Sequence, residues 1–198
     1  MFVYEKKLQY PVKIKNTNPK LASIIISQYG GPDGELGASL RYLSQRYTMP
    51  YPELKGLLTD IGTEELGHLE MVGAIIHQLT RNLKDSQIED SAFAPYFVDH
   101  TAGVYPTAAS GFPFSAASIA VKGDPIADLT EDLAAEQKAR VTYDNILRLS
   151  DDPDVNNVIK FLRQREINHF QRFGESLQLL REKLNQKNVY YMNPAIDI

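Results

Sequence analysis

Thr63-Glu64-Glu65-Leu66-Gly67-His68 and Arg165-Glu166-Ile167-Asn168-His169 are the two stretches that decide the fold. Each holds a Glu-x-x-His unit, and residues at i and i+3 share one face of a helix. Around the first, Leu54, Leu58, Ile61, Glu65, His68, Val72, Ile75 and Leu79 recur at alternating steps of four and three. Around the second, Val155, Ile159, Leu162, Glu166, His169, Phe173, Leu177, Leu180 and Leu184 recur at steps of four and three, with two fours in succession at Phe173. Such a seam is the inward face of a helix in a bundle. A Glu and a His are the only polar members of each.

Working outward, a lone Glu stands thirty residues before each unit: Glu35 before Glu65 and Glu136 before Glu166. Tyr42 and Tyr143 each follow that Glu by seven residues, so an offset of 101 carries one half onto the other. Residues 1–18 read as an extended arm. A helix starts at Asn18-Pro19, breaks at Gly30-Gly31-Pro32-Asp33-Gly34 and restarts from Glu35 to Tyr47. A second runs from after Pro50 to about Leu83. Residues 84–125 lose periodicity and carry prolines and aromatics, as in a long crossover that packs down over the fold. A third helix spans Pro125 to about Leu149. The fourth follows Asp151-Asp152-Pro153 and ends near Leu184, leaving a tail from Asn185 to Ile198. The expectation is an all-α chain: one ferritin-like four-helix bundle over residues 1–198, with one long crossover and extended terminal arms.

Four seam carboxylates buried together repel, and divalent cations are the natural remedy. Glu35, Glu65, Glu136 and Glu166 with His68 and His169 match the donor set of di-iron and di-manganese carboxylate bundles. These residues alone leave manganese and iron both open. Tyr42 and Tyr143 read first as core aromatics, though a phenol can donate to a ligating carboxylate. Arg140 reads first as a salt-bridge partner, with a place beside the site as the alternative. Glu64 points about 100° from Glu65 and reads as a solvated or capping carboxylate. His77 and His100 fall outside the constellation.

Composition removes other classes. With 43% hydrophobic and 23% charged residues, the 198-residue chain is not disordered. A net charge of −4 offers no basic surface for nucleic acid. The absence of cysteine excludes disulfide frameworks, thiolate metal sites and a thiol nucleophile. No secretory leader and no membrane-spanning stretch is expected, which places synthesis in the cytoplasm.

The stretches Gln28–Glu35, Arg41–Pro50, Thr59–His68, Ala134–Arg140 and Arg165–Phe170 resemble the manganese catalases over nearly the whole chain, most of all the short members of bacterial spore coats. The resemblance implies two manganese ions per chain and no haem. Glu35, Glu65, His68, Glu136 and His169 would be ligands, with Glu65 bridging. Glu166 would be the acid/base just outside the metals, with Tyr42 beside them and Arg140 as a further candidate for that place. It further implies disproportionation of hydrogen peroxide, a homo-oligomer of hexameric form and assembly with spore coat proteins. Two alternatives stand beside it: a structural coat protein with low or no turnover, and a di-iron ferritin-like oxidase. Some members place an Arg immediately before the third-helix ligand, where this chain has Ala135; Arg140 is the candidate to compensate. The chain ends soon after its fourth helix, so the calcium site of longer members is not expected.

Overall fold

A computed structural model describes residue 5 and residues 7–184. Among these, eight α-helices form and no strand does. They are α1 (Pro19–Ile25), α2 (Ser27–Gly30), α3 (Glu35–Gln45), α4 (Pro52–Thr80), α5 (Asp85–Glu89), α6 (Ala94–His100), α7 (Pro125–Leu149) and α8 (Pro153–Lys183). The broken α1–α2–α3 segment pairs with α4, and α7 pairs with α8. The crossover joins the two pairs, which gives a ferritin-like four-helix bundle. No helix of the described residues is long and apolar enough to cross a membrane.

The helix starts follow local chemistry. Asn18, Asp124 and Asp152 accept hydrogen bonds from first-turn amides, each with proline as the next residue. Those side chains satisfy donors that have no partner inside the helix. The break after α2 depends on Gly34, where a Cβ would stand 2.6 Å from the Ser27 carbonyl oxygen. The chain can therefore turn sharply and begin α3 at Glu35. The second long helix stops at Thr80 rather than near Leu83, because Arg81 is extended and Asn82 has a φ of 52°.

Two apolar clusters bracket a polar middle. One joins α1 to the late part of α4, the late part of α7 and the early part of α8, with Ile25, Ile75, Ile146 and Ile159 among its members. The other joins α3 to the opposite ends of α4, α7 and α8 through Tyr42, Leu58, Leu129 and Phe173. Each buried aliphatic side chain contributes about 1.5–3 kcal/mol, which offsets the cost of the polar layer between them.

The arm is extended and tied to α4. Ile14 donates its amide to Gln78 Oε1 at 2.7 Å, and Gln78 donates to the Val12 carbonyl at 2.9 Å. The tyrosines near the chain ends, Tyr4, Tyr10, Tyr190 and Tyr191, offer a surface for subunits by sequence; Tyr10 stacks on Phe161 of its own bundle at 5.0 Å. Tyr4, Tyr190 and Tyr191, proposed for the same surface, lie outside the described residues. The crossover contains α5 and α6, which at five and seven residues are too short to show helical periodicity. Its Phe93 is buried as expected, but Phe112 is 65% exposed. The last part of the crossover lies along the α3–α7 seam. There Ser118 and Ala120 accept from Arg41 and Gln45, and the amides of Lys122 and Gly123 donate to Asp128.

Candidate metal centre

The polar middle is built from four helices. Glu35 is the first residue of α3, where the helix N-terminus favours a carboxylate. Glu65 and His68 come from α4, Glu136 from α7, and Glu166 and His169 from α8; all six are buried. Their ligand atoms converge in two sets, Glu35, Glu65, His68 and Glu166, and Glu65, Glu136, Glu166 and His169, each within a 4.8 Å span.

The arrangement has a pseudo-twofold centred on Glu65. One Glu65 oxygen lies 2.7 Å from His68 Nδ1 and the other 2.8 Å from His169 Nδ1. His68 Nδ1 stands 3.6 Å from Glu35, and His169 Nδ1 stands 3.6 Å from Glu136. Tyr42 of the first half donates to Glu136 of the second at 2.6 Å. Tyr143 of the second half donates to Glu35 of the first. Tyr143, read first from sequence as a core aromatic, is therefore the counterpart of Tyr42.

Four buried atoms facing this centre have no hydrogen-bond partner: Glu65 Oε1, Glu136 Oε2, Glu166 Oε1 and His169 Nδ1. Leaving them bare would cost about 1–3 kcal/mol each, more where charged. Oxygen and imidazole donors suit a divalent first-row metal. The four inward carboxylates also balance the charge of two such ions. The residues fit a dinuclear centre.

Electrostatics divides the carboxylates. Burial and the Glu65 charge push Glu35 up to about 7. Burial also raises Glu136, and it raises Glu166 well above the usual range, with Glu35, Glu136 and Glu65 adding to the effect. Burial would raise Glu65 too, but the two imidazoles outweigh it and hold Glu65 low. His68 and His169 are both raised, because Glu65 and the surrounding carboxylates overcome their burial. Without metal the pocket therefore stores protons on its imidazoles and outer carboxylates, and a metal must displace them.

The far side of the imidazoles holds a residue that the sequence reading assigned to solvent. Glu64 accepts from His169 Nε2 at 3.0 Å and lies 3.5 Å from His68 Nε2. Arg165 clasps the same carboxylate at 2.7 and 3.2 Å, and Gln9 donates to it at 2.6 Å. Glu64 is held low by these hydrogen bonds in spite of its partial burial. The signal was present in the repeat: the offset of 101 carries Glu64 onto Arg165, a charge-reversed pair.

Arg140 is not beside the centre. Its Nε donates to Gln137 and its Nη1 to Asp144, which also accepts from Arg163, so it belongs to a network linking α7 and α8. The buried α7 seam runs through Ala139, one position earlier, and Arg140 is turned outward. His77 and His100 also stay out of the two ligand sets.

The family model described as manganese containing catalase matches residues 1–192. The chain belongs to the manganese catalase family. It is 51% identical to Protein CotJC of Bacillus subtilis over 190 residues, covering 96% of this chain and 100% of that one. A probable manganese catalase of Clostridium acetobutylicum is 35% identical over 199 residues, covering 95% and 84%. Among solved structures, KatB, a manganese catalase from Anabaena, superposes with a TM-score of 0.86 at 31% identity, covering 98% of this chain and 85% of that one. Manganese catalase membership and the two-set donor geometry point to the same centre.

Proposed function

We propose that this protein disproportionates hydrogen peroxide at two manganese ions per chain, held within one ferritin-like domain over residues 1–198. Glu35, Glu65 and His68 would hold one ion; Glu65, Glu136 and His169 would hold the other. One peroxide loses two electrons and two protons to become dioxygen. A second gains two electrons and two protons to become two waters. The bound metal pair supplies the two-electron store between these halves. Glu65 belongs to both ligand sets and would serve both ions, Tyr42 and Tyr143 orient Glu136 and Glu35, and Glu64 orients the His169 imidazole and, with Gln9, that of His68. Glu166 holds the proton in transit, since burial beside three other carboxylates favours its protonated form.

The observation that carries this reading is the contrast between the two shared carboxylates. Both belong to both ligand sets, but each Glu65 oxygen lies within 2.8 Å of an imidazole nitrogen, whereas among the described residues Glu166 forms no ion pair with either imidazole. The same membership of both sets favours a second reading, a di-iron oxidase in which Glu166 is a ligand. Glu166→Gln separates them. The catalase reading expects both metals retained and oxygen evolution down by about 10²–10⁴-fold. Glu65→Gln should lose metal. Metal loss in Glu166→Gln equal to that in Glu65→Gln supports the oxidase.

The likeness to CotJC supports a place in a spore coat, among coat proteins, after synthesis in the cytoplasm. An intact donor set argues against a purely structural coat role, because buried carboxylates without a use destabilise a fold. The manganese catalase resemblance extends the reading to a hexamer, which the mass in light scattering tests.

A further inference from the structure

Besides the six residues of the centre, another patch of buried polar side chains lies among the described residues of the bundle. Arg41 and Gln45, one turn apart on α3, stand near Asp132 on α7, and none is more than 1% exposed. The crossover roofs them: Arg41 Nη2 donates to the Ser118 carbonyl at 3.2 Å and Gln45 Nε2 to the Ala120 carbonyl at 2.9 Å. Four atoms beneath that roof have no partner, namely both Asp132 oxygens, Arg41 Nε and Gln45 Oε1. Burial raises the Asp132 carboxyl well above its usual range, and the nearby Gln45 and Arg41 oppose that rise. Buried polar groups that lie near one another and leave hydrogen-bonding atoms open suit a bridge by a small polar molecule.

The internal repeat provides a comparison. The offset of 101 relates Arg41 to Thr142, Gln45 to Ile146 and Asp132 to Gly31. Ile146 belongs to the apolar cluster at that end of the bundle. The fold therefore closes one end without these charges, and packing does not require them at the other.

The position of the patch suggests its use. Asp132 precedes Glu136 by one helical turn, and Arg41 precedes Tyr42, whose hydroxyl bonds Glu136. On the imidazole side, a groove lined by Gln9, Asp60, Thr63 and Glu64 ends at the carboxylate already held by Arg165 and His169. That side is closed by strong hydrogen bonds, and the apolar clusters close both ends.

We propose that Arg41, Gln45 and Asp132 form a second polar site that binds a small neutral hydroxylic molecule, water at rest and hydrogen peroxide in turnover, and leads peroxide to Glu136 beneath the crossover. Its open hydrogen-bonding positions are three acceptors and one donor. Peroxide and water can both donate to the acceptors and accept from Arg41 Nε. The identity of the traveller rests on the peroxide reading above; the existence of the site does not.

The test uses the metal-loaded protein and the double variant Arg41→Met/Asp132→Leu, which removes both charges at similar volume. A high-resolution crystal structure of the unaltered protein should show water within about 3.2 Å of Asp132 and of Arg41 Nε. The double variant should lose that water and keep two metals per chain. It should melt no lower, because a buried pair replaced by apolar groups is often neutral or stabilising. Its kcat/KM for peroxide should fall by roughly tenfold or more with a smaller change in kcat. If the double variant fails to fold, Asp132→Asn keeps the shape and should still lower kcat/KM at unchanged metal content. A dry patch in the unaltered protein overturns the proposal. So does unaltered kcat/KM in the folded variant. If the unaltered protein evolves no oxygen, the peroxide reading has failed, and the site stands or falls on the crystallographic water.

Discussion

At the residue scale, the centre depends on carboxylates that touch the imidazoles from both sides. Glu65 faces their Nδ1 atoms and Glu64 their Nε2 atoms. A carboxylate behind a ligating imidazole fixes its tautomer and raises its basicity, and losing such a partner typically costs 10–100-fold in metal affinity. Glu64→Gln should therefore weaken binding of both ions by about that factor, read by titration against a competing chelator. Affinity within about twofold of the unaltered protein would remove Glu64 from this role. The six residues of the centre were legible because their identity, spacing and seam phase agree. Glu64 was not, because a position 100° off the seam ordinarily faces solvent; here the arm, through Gln9, covers it. The buried face of α7 is hidden from a periodicity count for a related reason. Periodicity favours Leu133 and Arg140 over Asp132 and Ala139, yet the latter pair are the buried ones. A pattern that counts apolar residues passes over a buried aspartate.

At the element scale, the bundle was legible in its four helices, its break before Glu35 and its single crossover. The short helices of the crossover were hidden by their length. Its path over α3 was hidden too, because it is set by tertiary contacts such as those at Gly30. A Cβ on Gly30 would lie 2.3 Å from the Pro106 carbonyl carbon and the Thr107 nitrogen. Both are backbone atoms, so Gly30→Ala must push the crossover away from α2. The expected cost is about 1–3 kcal/mol. For a chain of this size each 1 kcal/mol corresponds to roughly 2–4 °C in melting temperature. A melting temperature equal to that of the unaltered protein would show that the crossover is not held there.

For the whole molecule, the polar layer links stability to protons and metal. Glu35, Glu136 and Glu166 are raised above the ordinary carboxylate range, so the folded state keeps protons that the unfolded chain releases above about 4.5. Stability of the metal-free protein should therefore fall as pH rises through that window, to about 7 for Glu35. His68 and His169 are also raised; their stabilisation is complete below about 6.5 and declines above it, with the same sign. Melting temperature of the chelator-treated protein should drop by on the order of 5 °C from about pH 5 to about pH 8, while metal affinity rises over the same range as the protons leave. A metal-free melting temperature that climbs over this interval would contradict the buried charge assignments. The central claim is a dimanganese centre that turns over peroxide, and its most direct test is metal analysis of the purified protein together with oxygen evolution from hydrogen peroxide. The purified protein should hold about two manganese ions per chain, and its oxygen evolution should disappear with the metal and return on reloading. A protein loaded with two manganese ions per chain that evolves no oxygen, or one that binds no manganese, would contradict it.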